Sequence, residues 1–301
     1  MTALMNQTDA AVVETSAWLD RAAAADRVPQ RYRGVWRRTL LRDEAGHEDR
    51  TTRVFWLQTA RVHVDLRVRA DRAGFDGVRG LDALPRDMLV ELARQQGFAG
   101  FTAIAPGVPE VCTWHRQIDF NPPADTRDIG TMCFESPDVL LEDGVDAVYH
   151  ERWEREPESA GPTWAARLPR AAMLPADAPG ESPREHADDD EPMCFLARAG
   201  GLFMFARARS STATAWLAQH RGRTLAQVVA DPAVSLEQAR ALLDFEISLG
   251  HVAASPGVKP VIALSTHPWR EGCSLPFGLD QEADTAELAG THDSRSHHVD
   301  D

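Results

Sequence analysis

The sequence predicts an all-β fold with peripheral helices, a single antiparallel barrel of about ten short strands. Three observations carry this expectation. Apolar and polar residues alternate with a period of two, as in Arg61 to Arg69 and Val111 to Phe120. Turn residues separate the runs, and strands do not alternate regularly with helices as a parallel sheet would require. A meander of this kind leaves exposed edges, which closure into a barrel removes. The same pattern also allows a two-sheet sandwich.

The elements follow in order. Residues 1 to 30 are peripheral, with an Ala-rich stretch, Thr15 to Asp26, that could form a short helix. Val35 to Leu41, Thr52 to Thr59 and Arg61 to Arg69 form an antiparallel meander, its first turn lying between Asp43 and Asp49 around Gly46. From Pro85 to Gln96 the period changes to that of a helix, with Met88, Leu89, Leu92 and Ala93 on one side, and Gly97 follows its end. Strands resume at Gly97 to Ile104 and Val111 to Phe120, and Asn121-Pro-Pro interrupts the ladder because proline cannot donate a backbone hydrogen bond. Asp128 to Phe134, Val139 to Glu142 and Ala147 to Glu154 are further strands, with a turn expected at Glu142-Asp-Gly. Residues 156 to 191 are rich in proline and acid, ending in Asp188-Asp-Asp-Glu, and are expected to be a low-order insert. Met193 to Arg209 is a hairpin turning on Gly200-Gly201, and residues 213 to 243 are helical in two pieces broken at Asp231-Pro232. Ser235 stands at an N-cap position. Asp244 to Val252 and Val261 to Thr266 are the last strands. The barrel domain thus runs from 31 to 275, followed by an acidic tail, 276 to 301, expected to be disordered.

Composition excludes several classes. Of 301 residues, 43% are hydrophobic and 26% charged, as in an ordinary globular protein, and the net charge of -14 argues against a nucleic-acid partner. No run reaches the roughly 18 to 20 apolar residues of a membrane helix. The first residues lack the basic-then-apolar layout of a signal peptide, so a cytoplasmic location is expected. The four cysteines are widely spaced and read as reduced, small hydrophobes. No cofactor is expected, because there is no Gly-x-Gly-x-x-Gly, P-loop or Gly-x-Ser-x-Gly elbow.

The stretch Val111 to Phe120 carries the functional argument. Strict alternation puts Trp114, Ile118 and Phe120 on one face and His115, Gln117 and Asp119 on the other. Arg116 is then a charge on the apolar face, and a core-facing charge is costly unless it is paired or binds a ligand. Glu151 lies between Tyr149 and Trp153 on the apolar face of its own run, so Arg116 and Glu151 are expected to meet inside the barrel. The same face-by-face reading adds Trp56, Gln58, Trp114, Tyr149, Trp153 and Arg207 as pocket walls, with His251 as a second titratable group. A filled core holding a structural Arg116–Glu151 salt bridge fits the pattern equally well. Val62, Val64, Leu66 and Val68 are assigned inward, which turns His63, Asp65 and Arg67 outward. A weaker alternative gathers His63, Asp65, His115 and Asp119 around a metal.

Several runs, taken together, resemble one lipocalin-like (calycin) family, typified by a fungal casein-kinase-interacting protein and with bacterial relatives. They are Phe55-Trp-Leu-Gln-Thr, Val64-Asp-Leu-Arg, Cys112-Thr-Trp-His-Arg-Gln-Ile-Asp, Glu151-Arg-Trp-Glu and Ser265-Thr-His-Pro-Trp-Arg-Glu-Gly. The resemblance covers residues 33 to 154 and 193 to 275, leaving out the insert and the tail. It implies a closed or nearly closed barrel with a central cavity, and implies no reaction.

Three function classes remain open. One is a cofactor-independent enzyme (lyase, isomerase or hydrolase) in which Arg116 binds a small, aromatic, anionic substrate and Glu151 or His251 serves as general acid or base. Another is a non-catalytic small-molecule binder. The last is an interaction protein whose acidic insert and tail recruit basic partners.

Overall fold

In a computed structural model, which describes residues 17–18, 27–169, 193–252, 255, 258–276 and 278–279, eight strands run up and down in chain order and close on themselves. A first short strand, β1 (Ala17–Trp18), belongs to a second sheet. The barrel opens with β2 (Gly34–Asp43), beside which the two-residue β3 (Glu48–Asp49) is added. It continues through β4 (Arg53–Gln58), β5 (Val62–Val68), β6 (Gln96–Ala105), β7 (Glu110–Asp119), β8 (Ile129–Ser136), β9 (Val139–Gly144) and β10 (Tyr149–Arg155). Pairing of β10 with β2, from Tyr149 opposite Asp43 to Arg155 opposite Trp36, closes the wall. The expected antiparallel barrel is therefore present, with eight strands in its wall.

The remaining strands form a six-stranded sheet, in the order β1, β11 (Thr163–Pro169), β12 (Met193–Ala199), β13 (Leu202–Arg207), β14 (Glu246–His251) and β15 (Val261–Ser265). Gly200, at φ 54°, makes the β12–β13 turn, where a side chain would come within 2.5 Å of the Ala160 carbonyl. Among the described residues four helices flank the sheets: α1 (Arg86–Leu92), α2 (Ser211–Leu217), α3 (Leu225–Ala230) and α4 (Leu236–Leu243). Capping boxes start α3 at Thr224 with Gln227 and α4 at Ser235 with Gln238. Residues 213 to 243 thus hold three helical pieces where the sequence suggested two, with the break at Asp231-Pro232 retained. The turn expected at Glu142-Asp-Gly lies after Gly144, which is the last residue of β9.

Part of the predicted low-order insert is ordered, since β11 pairs along its length with β12. The rest of the insert, beyond 169, lies outside the described residues. So do the predicted helix Thr15 to Asp26, apart from β1, and the tail apart from residues 276, 278 and 279.

The second sheet covers the outer side of β4 and β5. Val62, Val64, Leu66 and Val68 of β5 therefore join one core with Phe195, Ala197, Met204, Ile247, Leu249 and the three helices α1, α3 and α4. Each such aliphatic side chain contributes roughly 1.5–3 kcal/mol by burial. The inner side of β5 is buried too, so this strand has no solvent face. A separate core fills the barrel: Tyr32, Trp36, Val54, Trp56, Phe98, Cys112, Trp114, Met132, Leu140 and Trp153.

Tyr32, on a 3-10 turn (Gln30–Tyr32), stops the end of the barrel where β2 begins. Its hydroxyl donates to Glu110 at 2.7 Å, and Trp36 Nε1 donates to the Tyr32 carbonyl at 2.7 Å. Arg155 lies 4.1 Å over the Trp36 ring and donates to the carbonyls of Arg31, Arg33 and Pro137. At the far side Arg209, buried, donates to the carbonyls of Asp119, Phe120 and Leu242, tying the end of β7 to α4.

Candidate ligand pocket in the barrel

Above this aromatic floor the barrel contains a hollow of about 330 Å³. Trp56 is the hub of the floor. It meets Trp114 edge-on at 5.6 Å, Trp153 edge-on at 5.9 Å and Trp36 in a stack at 6.4 Å. The upper wall is charged, with Asp43, Asp65, Asp128, Glu142 and Glu151 facing Arg67 and Arg116, and Tyr149 at the side. Trp114, Arg116, Asp128 and Tyr149 also border a wider cleft of about 640 Å³ that reaches Arg209, Thr214 and Leu217, so the hollow and this groove share a wall. Volumes of this size suit small organic molecules.

Two β-bulges set which charges point inward. In β7 the register slips at Gln117, so that Arg116 opposes Gly100 while Ile118 opposes Ala99. Trp114 and Arg116 face the hollow; Ile118 and Phe120 turn outward into the inter-sheet core, and Asp119 returns to Arg116's side. This corrects the single apolar face expected for Trp114, Ile118 and Phe120. In β2 a slip at Thr39 leaves Arg38 opposite Trp153 and Leu41 opposite Glu151.

The expected Arg116–Glu151 ion pair does not form. Arg116 bonds Asp128 at 2.7 Å and Asp119 at 2.9 Å, and lies 3.6 Å over the Phe98 ring. Glu151 instead accepts from Arg38 Nη1 at 2.7 Å, and the other arm of Arg38 reaches Asp49 at 3.0 Å. Both groups nevertheless border the same hollow. Asp65 and Arg67, assigned outward from the sequence, point inward as a pair at 2.7 Å, with the Arg67 guanidinium 5.3 Å from the Phe98 ring. Burial raises the Asp65 carboxyl, with Arg67 opposing the rise.

Glu142 is the residue the sequence reading missed. It stands opposite Glu151 in the β9–β10 ladder, and both are buried. Tyr149 Oη donates to its Oε1 at 2.7 Å and Trp153 Nε1 to its Oε2 at 3.1 Å. Among the described residues no cation lies within ion-pair distance of it. Burial, reinforced by the adjacent Glu151, drives its carboxyl well above the ordinary range. Burial also raises Glu151, but Arg67 and Arg38 work against the rise. Glycines make room for this corner: a Cβ on Gly130 would sit 2.9 Å from Glu142 Cγ, and one on Gly144 would run into the Tyr149 ring. The period-two pattern of Val139 to Glu142, Val-Leu-Leu-Glu, put Glu142 on the same face as Leu140, and that was the available signal.

Other expected residues lie elsewhere. Gln58 is committed to structure, accepting from Trp56 Nε1 and Thr102 Oγ1 and donating to the Thr59 and Val62 carbonyls. His251 sits exposed at the end of β14, 3.0 Å from Glu158, and does not border the hollow. Arg207 is buried in the second sheet near Asp244 and Glu246. Both were misplaced because the sequence reading assigned every apolar face to one interior. The alternative metal set is split: His63 and Asp65 face inward, whereas His115 is exposed, and among the described residues no group of three His, Cys, Asp or Glu is disposed to hold a metal. His63 is a neutral core histidine, lowered to about 3 first by burial and then by Arg116, with Nδ1 on Thr102.

Among the described residues no helix is long and apolar enough to cross a membrane. Comparison with protein families, with curated proteins and with solved structures gives no match.

Proposed function

We propose that the barrel is a receptacle for a small organic molecule, of the lipocalin-like (calycin) kind. The observation that carries this reading is the half-filled interior, where a tryptophan floor stops partway and a hollow lined by buried polar groups lies above it, beside a surface groove. Eight-stranded up-and-down barrels have an interior of the size that holds one small ligand. Free cysteines, with Cys112 and Cys194 buried, fit a reducing, cytoplasmic setting.

The same corner supports a second reading, acid–base catalysis without a cofactor. Paired carboxyls whose surroundings push them apart can divide the roles, Glu142 giving a proton and Glu151, held by Arg38, taking one. In that reading Glu142 fills the part first given to His251, and the reaction belongs to the lyase, isomerase or hydrolase classes.

The test is native mass spectrometry of the purified full chain together with titration of its tryptophan fluorescence. A retained small molecule, or saturable quenching by arene-bearing compounds, is the expected outcome. A protein that emerges empty and whose tryptophans ignore every such compound is not a receptacle. Turnover of a bound compound that is lost in both Glu142→Gln and Glu151→Gln would select the catalytic reading.

A further inference from the structure

The charges around the hollow are unequal and mostly committed to one another. Each guanidinium at the upper wall already has carboxylate partners: Arg67 has Asp65, Arg116 has Asp119 and Asp128, and Arg38 has Glu151 and Asp49. Glu142 is left as a buried carboxyl that borders the hollow and receives only neutral donors. A buried carboxylate ordinarily has a counter-charge, and carboxylates outnumber guanidiniums around this hollow, an excess that favours cations. Trp56, Trp114, Trp153, Phe98 and Tyr149 surround the same space, and aromatic faces attract cations, organic ammonium groups above all.

We infer that the guest is a cation, a small arylalkyl ammonium whose charged head stands beside Glu142 and whose ring lies against the tryptophans. This inference rests on the pocket reading and names its ligand class. It departs from the anionic substrate expected from the sequence, because Arg116 is already held by two carboxylates. In the empty pocket burial and the neighbouring Glu151 favour the protonated form of Glu142. As the ammonium arrives, the Glu142 O–H bond breaks, the proton leaves to solvent, and the carboxylate becomes the counter-ion, so affinity rises with pH. The groups that face Glu142 are Glu151 and Tyr149 from β10, Arg67 from β5, Cys112 from β7 and Asp128 ahead of β8. Tyr149 and Cys112 are themselves raised, by burial first and by Glu142 second, and stay neutral throughout.

The experiment is calorimetric titration of the full chain with 2-phenylethylammonium, 2-phenylethanol and phenylacetate, in buffers that differ in heat of protonation. The ammonium should bind at least about tenfold more tightly than the alcohol, with phenylacetate weakest. About one proton should be released per ammonium bound and none per alcohol. In Glu142→Gln the ratio of ammonium to alcohol affinity should fall to near unity. The order of the three affinities is measured on the unaltered protein and decides the matter even if that variant folds poorly. Equal binding of ammonium and alcohol, or preference for phenylacetate, overturns the cation and leaves the pocket standing, whereas tighter ammonium binding without proton release keeps the cation and overturns a protonated Glu142 in the empty pocket. Absence of heat and of fluorescence change with all three compounds overturns the pocket, and this inference with it.

Discussion

Glu142 and Glu151 face each other across neighbouring strands, yet only Glu151 has a guanidinium to hold it. That difference makes the barrel sensitive to pH. Glu142 is raised above its ordinary value of 4.5 by burial and by Glu151. A group shifted in that direction stabilises the fold fully below the unfolded value, and the contribution is lost as pH rises toward the folded value. The protein should therefore lose stability as pH rises above the ordinary carboxyl range, and Glu142→Gln should flatten that decline. Urea midpoints over that rise measure it, and an unchanged slope in the variant would refute the assignment.

Arg38 should matter far more to folding than a surface arginine. Its side chain and that of Glu151 are each only 5% exposed. Arg38→Ala strands a buried carboxylate and should cost about 3–5 kcal/mol, whereas Arg38→Met with Glu151→Leu should recover much of the loss. A double-mutant cycle by chemical denaturation provides the coupling, and simple additivity would show the pair to be inert.

The closed end of the barrel depends on a flat, forked cation. Arg155 stacks on Trp36 and serves several carbonyls at once, which a lysine cannot reproduce. Arg155→Lys should destabilise by about 1.5–3 kcal/mol with the barrel retained. Thermal unfolding followed by near-ultraviolet dichroism reads both effects, through stability and through the environment of Trp36.

Leu66 tests whether the outside of β5 is truly covered. Fully buried in the inter-sheet core, it should cost about 2–5 kcal/mol as Leu66→Ala, while Thr131→Ala on the exposed side of β8 should change stability by less than about 0.5 kcal/mol. Similar small effects at both positions would mean that the second sheet does not pack where it is drawn.

Much of this was legible in the chain. The run from Val35 to Leu41 through Ala147 to Glu154 spelled the barrel strands, and alternation correctly brought Trp56, Trp114, Trp153, Tyr149, Arg116 and Glu151 to one hollow. What failed was partnership and sidedness. A bulge inserts one residue without any mark in the pattern, so Gln117 reversed the faces that followed it and Thr39 aligned Arg38 with Glu151's strand. On β5 the rule that the apolar side is the inside gave the opposite answer, because a second sheet supplied an apolar outside. Long-range packing of that kind has no local signature. His251 and Arg207 were drawn into the site by the same assumption, and Glu142 was passed over because it was read as part of a turn.

A strand whose outer face is packed under a second sheet cannot bow outward. Whatever deformation admits a bulkier guest must come from the opposite staves, β8 to β10, whose backs meet water at positions such as Cys133, Glu135, Asp143 and Arg152. The vessel therefore has one flank backed by a second sheet and one whose back meets water, and Glu142 and Glu151 both ride on the latter.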